Sequence, residues 1–284
     1  MRTIQKIHKA EYRPIDDLIT YSPMPTGNLQ MIDPFLFLNH HGPQTYGPNN
    51  NGLPFGPHPH RGMETVTFIL QGEIAHKDSG GHQSVIHSGG VQWMTAGSGL
   101  IHAEISPDDF KQFGGDLEIL QLWVNLPEKL KMTPPKYKGL QEDQIPNISL
   151  DEGKVSAQVI SGNFEGTEGA FDTLTDIHLA TVFFKETGKL HLPVPKEHNI
   201  FFYVVKGELI VNGQSAKALH LLEFDNDDEN IEIDAIAEST LIFGHAPAFN
   251  EPVVSRGPFV MNSMDEINQA YDDFQTGKMG SWNE

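Results

Sequence analysis

The feature that most constrains the fold of this chain is its punctuation. Short runs rich in β-branched and aromatic residues alternate with turn residues along the whole length, with 27 Gly and 19 Pro among 284 residues. The runs include Glu64-Thr-Val-Thr-Phe-Ile-Leu70, Leu117-Glu-Ile-Leu-Gln-Leu-Trp-Val-Asn125, Ala180-Thr-Val-Phe-Phe184, Ile200-Phe-Phe-Tyr-Val-Val205 and Thr240-Leu-Ile-Phe243. Many short strands with frequent turns predict an all-β sandwich or barrel. Two of the runs echo each other. Glu64 to Glu73 and Ile200 to Glu208 are both apolar strands closing in a Gly-Glu turn, which suggests a duplicated β domain. Between the halves, Leu126 to Ile148 carries Pro127, Pro134, Pro135 and Pro146 and little periodicity, so it reads as a linker. The expected division is 1–134 and 135–284. One helix is predicted, from about Met264 to Thr276. Ile267, Ala270, Tyr271 and Phe274 form its apolar stripe, Ser263 and Glu266 a capping box, and Gly277 its C-terminal stop.

Charge excludes several classes. The chain carries 38 acidic against 19 basic residues, a net charge of −19. The imbalance is uneven, −4 up to Gln144 and −15 beyond it. Such a surface repels phosphate, which argues against nucleic-acid binding through basic contacts and against attachment to anionic membranes. The absence of cysteine excludes disulfides, thiol nucleophiles and thiolate-bound zinc or iron–sulfur clusters. No apolar leader or 18-residue apolar run is present, so a soluble cytoplasmic protein is expected. From Glu223 to Glu238 there are eight acidic and no basic residues, read as a solvated face or as a docking surface for a basic protein partner.

The chemistry concentrates in the first half, which holds nine of the 14 histidines by residue 102. In Gly56-Pro57-His58-Pro59-His60-Arg61-Gly62-Met63-Glu64, two histidines at i and i+2 of a strand point to one face. Gly97-Ser98-Gly99-Leu100-Ile101-His102-Ala103-Glu104 repeats the spacing after a glycine-rich turn. Two such strands facing into one barrel would aim three imidazoles and a carboxylate at one point, a ligand set for a divalent Fe, Mn, Co, Ni, Cu or Zn ion. His40 and His41 suit either a loop or the pocket mouth, and His76, His82 and His87 are expected to be exposed. His178, His191, His198 and His220 look scattered and His245 reads as an ordinary polar residue, so the second half is expected to lack a metal.

The spacing Gly52-(x5)-His58-x-His60-(x3)-Glu64 resembles the first metal motif of the cupin superfamily. His58-Pro-His60-Arg-Gly-Met-Glu64, Gln92-Trp-Met-Thr-Ala-Gly97-Ser-Gly-Leu-Ile-His102-Ala-Glu104, Gln121-Leu-Trp-Val-Asn-Leu126, Asp33-Pro-Phe-Leu and Gly257-Pro-Phe-Val-Met-Asn262 together resemble the pirin family. The resemblance implies two cupin-type jelly rolls and one metal, Fe(II) first, held in the N-terminal domain by His58, His60, His102 and Glu104. Glu64 is then expected to orient a histidine or arginine rather than to bind metal, with Arg61 beside it. The activity implied is oxidative opening of a flavonol such as quercetin by O2, with Glu104 as general base. Phe37, Phe55, Met94 and Trp123 are candidate walls for the flat substrate, although each also suits a core. The alternative implied is a non-enzymatic, iron-dependent regulator that binds a protein partner through its acidic surface. A sugar-phosphate isomerase lacks its cationic clamp, since Arg61 is the only Lys or Arg between Arg13 and Lys77.

Overall fold

A computed structural model describes residues 1–282. Strands dominate it, and among the described residues the α-helices are Asp108–Phe113 and Met264–Gln275. No helix among them is long and apolar enough to cross a membrane. The chain divides into two compact domains.

In the N-terminal domain an antiparallel sheet of seven strands has at its centre Val91–Thr95, Met63–Gln71, Gly115–Asn125 and Phe35–Tyr46, in that order. A four-stranded sheet orders Phe55–His60, Leu100–Ile105, Glu73–Asp78 and Gln83–His87. The C-terminal domain repeats this arrangement strand for strand. Its larger sheet centres on His220–Phe224, His198–Lys206, Ser239–Pro247 and His178–Phe184, and its smaller one orders Lys189–Pro193, Asn230–Ala235, Glu208–Val211 and Gln214–Lys217. The Gly-Glu turns coincide as well. Gly72 and Gly207 have φ of 81° and 84°. A Cβ there would lie 2.4 Å from the Asp116 carbonyl oxygen and 2.3 Å from that of Glu238, so both the conformation and the space demand glycine. The sequence echo is therefore a structural duplication, and the fold is all-β with two cupin domains.

The domain limits differ from a cut after residue 134. Among the described residues the N-terminal domain comprises 12–21, 36–142 and 249–282; the other comprises 1–11, 22–35 and 143–248. The proline-rich stretch is not a free linker. Lys136–Leu140 pairs with Val91–Thr95 as an edge strand, a place where nearby prolines break no ladder. Ile4–Lys9 is the matching edge of the C-terminal domain and pairs with His220–Phe224. It is pinned there by Arg2, whose buried guanidinium donates to the carbonyls of Asp225, Pro195 and His198.

The helix Met264–Gln275 forms as its sequence predicts. Ser263 Oγ accepts from the Glu266 amide, and Glu266 Oε2 accepts from the Asn262 amide at 3.1 Å. Its buried Ile267 and Ala270 pack with Ile101, Phe259 and Met261 of the N-terminal domain. Arg61 completes the attachment, donating from Nη1 to Asp273 Oδ2 at 2.9 Å and from Nε to the Ser98 carbonyl at 2.8 Å. Arg61 is thus a clasp for the C-terminal helix, not the partner of Glu64 that its position in the motif suggests. Buried Lys131 adds a second clasp, donating to the carbonyls of Gly62 and Val260 and to Asn125 Oδ1.

Gly62 lies where these elements cross, with φ of 80° and an added Cβ only 2.0 Å from the Val260 carbonyl oxygen. Gly62→Ala is expected to destabilise the fold by about 2 kcal/mol or more. Gly47→Ala, with nothing within 4 Å, should be near neutral. Thermal unfolding of the two variants side by side checks this.

Candidate metal centre

Strand pairing assembles the centre. Phe55–His60 runs antiparallel to Leu100–Ile105 with His58 opposite His102. Alternation along Phe55–His60 puts His60 on the same face as His58. The three rings meet with centroids 4.4, 4.8 and 5.0 Å apart. One nitrogen from each lies within 4.8 Å of the others, and His58 Nε2 is 3.0 Å from His102 Nε2.

The chemistry of the donors fits a divalent metal ion. His58 Nδ1 lies 2.7 Å from the Gly56 carbonyl and His60 Nδ1 3.0 Å from that of Pro258. A carbonyl only accepts, so the proton sits on Nδ1 and the Nε2 lone pair is left free. His60 Nε2 is buried and has no partner within the protein. Burial, and next the neighbouring His58, pushes His60 down to about 3; burial and the other histidines hold His102 well below its ordinary value. The His60 and His102 rings are therefore neutral, the state a metal requires.

Glu104 shares the strand and face of His102, but its carboxylate is not part of the close imidazole cluster. It is held instead by three donors. Thr67 Oγ1 at 2.9 Å and Gln92 Nε2 donate to Oε1, and Gln121 Nε2 donates to Oε2. Each amide is oriented from behind. Tyr137 donates to Gln92 Oε1 at 3.0 Å, and the Trp123 indole donates to Gln121 Oε1 at 3.3 Å. Sequence motifs contain Gln92 and Gln121 without revealing this role. The available signal was an amide at an inward register position among apolar neighbours.

Other expectations divide. Phe37 and Trp123 stack at 4.6 Å, and the Trp123 ring stands edge-on 5.2 Å from His60. Met94 is buried with Ala96 and Leu100, and Phe55 packs 5.1 Å from His41. Glu64 does not orient a histidine or arginine. Strand alternation turns it away from Thr67, and its Oε1 accepts from Thr95 Oγ1 at 2.6 Å. His76 is buried rather than exposed, stacked 3.8 Å from Tyr137 and bonded to Asp78. His40 and His41 lie buried in a strand, bonded to Glu118 and Thr20.

The duplication shows what became of the centre in the other domain. Counting from the shared Gly-Glu turn and following the strand registers, the positions of His58, His60, His102 and Glu104 are occupied by Leu192, Val194, Ile231 and Ile233. The positions of Thr67, Gln92 and Gln121 are occupied by Phe202, Leu222 and Phe243. All seven replacements belong to the apolar core of that domain. His178, His198 and His245, scattered in the sequence, nevertheless come together there, with the His178 and His245 rings stacked at 4.3 Å and His198 Nδ1 2.9 Å from His245 Nδ1.

Fold and site thus define a two-cupin protein with a histidine cluster able to hold a metal in its N-terminal domain. Comparison with known proteins agrees. The pirin family model matches residues 17–124 and that of the pirin C-terminal cupin domain residues 179–280. A Pseudomonas aeruginosa protein named "Putative quercetin 2,3-dioxygenase" is 37% identical over 265 residues, covering 93% of this chain and 91% of that one. A tomato (Solanum lycopersicum) pirin-like protein is 39% identical over 259 residues, covering 89% and 84%. The crystal structure of a quercetin 2,3-dioxygenase from Acinetobacter baumannii superposes with a TM-score of 0.92 at 34% identity, covering 99% of each chain. The chain belongs to the pirin family.

Burial pushes the Glu64 carboxyl up to about 7, with the Thr95 hydrogen bond opposing it. A carboxyl whose folded pKa is raised favours the folded state below its unfolded pKa. That contribution is lost as pH rises through the folded value. Stability is therefore expected to fall by roughly 3 kcal/mol between pH 4.5 and 7.5 through this group. Glu64→Gln should flatten that slope in denaturation curves taken across the same range.

Proposed function

We propose that this protein is a metal-dependent dioxygenase that opens a flavonol of the quercetin type with O2. The observation that carries the reading is a carboxylate fixed by three donors beside three imidazoles whose nitrogens converge. A structural metal site closes its coordination sphere and needs no such neighbouring carboxylate. The names carried by the relatives supply the substrate class.

His58, His60 and His102 would hold the ion, with Glu104 as fourth ligand, and Fe(II) is the metal proposed. Such an ion supplies Lewis-acid polarisation of the substrate hydroxyl and access to one-electron chemistry with O2. The chain's own residues do the rest. Glu104 accepts the proton of the flavonol 3-hydroxyl. Gln92, Gln121 and Thr67 keep its carboxylate aimed by donating to it. The stacked Phe37 and Trp123 offer a flat wall beside His60 against which a planar ring system can lie. The C-terminal segment keeps His60 in its metal-binding tautomer through the Pro258 carbonyl.

Aerobic turnover of quercetin by the Fe(II)-loaded protein, with release of carbon monoxide, is the expected result. His60→Ala and His102→Ala should lose bound metal and activity together, measured by elemental analysis and flavonol absorbance. Glu104→Gln should reduce kcat about 100-fold or more. Absence of carbon monoxide, or undiminished turnover in His102→Ala, overturns the reading.

Gln121→Leu tests the carboxylate support separately. It leaves the three imidazoles in place but removes a donor to Glu104, so metal content should hold while kcat drops roughly tenfold.

A further inference from the structure

The C-terminal domain keeps a pocket where it lost its metal ligands. A cavity of about 570 Å³ opens in this domain, a size suited to a small molecule. Leu192 and Phe243 line it, and these hold the register positions of His58 and Gln121. His245 lines it too, opposite Ile200 as Trp123 lies opposite Thr65. The pocket is therefore the duplicate of the metal pocket, with an apolar floor in place of ligands and a histidine stack in place of an aromatic one.

Its lining selects a ligand. Phe164, Phe243, Pro193 and Pro195 provide flat apolar walls, and His178 and His245 present rings only 14° from parallel. Among the described residues no Lys or Arg lines the cavity. Arg2, a cation that acts on His198 and His245, is committed to the carbonyls of Asp225, Pro195 and His198 and to the Asn226 side chain. Burial pushes His245 down to about 3 and lowers His198, so neither imidazole offers a positive charge at neutral pH. Asp176 and Glu165 add negative charge to the lining. Anions are thus disfavoured and hydrogen-bond donors are favoured. His178 is already satisfied, its Nδ1 3.1 Å from the Asn163 amide and its Nε2 2.9 Å from Asp176 Oδ1. Asp176 Oδ2 lies 3.9 Å from His198 Nε2, too far for a hydrogen bond, and remains an acceptor for an incoming hydroxyl.

From this geometry we infer that the C-terminal pocket binds a neutral, planar polyphenol, its rings between the apolar walls and a hydroxyl donated to Asp176. With Leu192, Val194, Ile231 and Ile233 in the ligand positions, this binding involves no metal held there. The inference does not require turnover at the N-terminal centre.

The test uses the full-length, zinc-loaded protein with 13C-labelled histidine and two matched probes, 2,3-dihydroxynaphthalene and the anion 2-naphthoate. The diol is expected to shift the ring signals of His178, His198 and His245 in a saturable way, binding at least about tenfold more tightly than naphthoate. Asp176→Ala, at a side chain 61% exposed and hence harmless to folding, should weaken the diol about tenfold. Shifts confined to His58, His60 and His102 would overturn this inference while leaving the dioxygenase reading intact. Equal or tighter binding of naphthoate, or no effect of Asp176→Ala, would overturn it as well. Loss of flavonol turnover with the C-terminal shifts retained would count only against the dioxygenase.

Discussion

The constraint on which this structure turns is the dryness of a small barrel interior. A polar group that faces inward must find its partner among the other inward groups, or lose hydration without compensation. The N-terminal domain meets this with a mutually satisfied set. Carbonyls take the Nδ1 protons of His58 and His60, while Thr67, Gln92 and Gln121 satisfy Glu104. Two buried nitrogens of the histidine cluster, His60 Nε2 and His102 Nδ1, are left without a protein partner. A metal held among the three imidazoles would satisfy His60 Nε2.

The same constraint explains why the C-terminal copy changed as a set. Removing a single ligand would have stranded the amides and the carboxylate that depend on it. Replacing all seven positions by Leu, Val, Ile and Phe instead merges them into one apolar core. What survives is a histidine cluster with His245 buried and Asp176 exposed to solvent, where a carboxylate needs no complete protein network. Duplication followed by a coordinated switch of the inward face thus gives two pockets of similar placement and different chemistry.

Long-range contacts then couple the centre to the chain ends. His60 takes its tautomer from Pro258, 198 residues away in sequence. Arg61 joins the loop before His102 to the terminal helix through Ser98 and Asp273. The terminal segment of the chain is therefore part of the N-terminal domain and of the support for its histidines. Such pairings carry no local signature, which is why a cut after residue 134 and a linker reading of the prolines were natural from the sequence and differ from the structure.

The sequence by itself determined the class of fold, the duplication, the capped terminal helix and the convergence of His58, His60 and His102. These follow from local rules: strand alternation, glycine-dependent turns and capping geometry act over a few residues. Tertiary structure alone decided the hold on Glu104, the burial of His76 against Tyr137, the turning of Glu64 toward Thr95 and the use of Arg61 as a clasp. It also gathered His178, His198 and His245 at one pocket. Those outcomes depend on which strands become neighbours and in what register, and register is set by the burial of whole sheet faces, not by any residue's near neighbours in the chain.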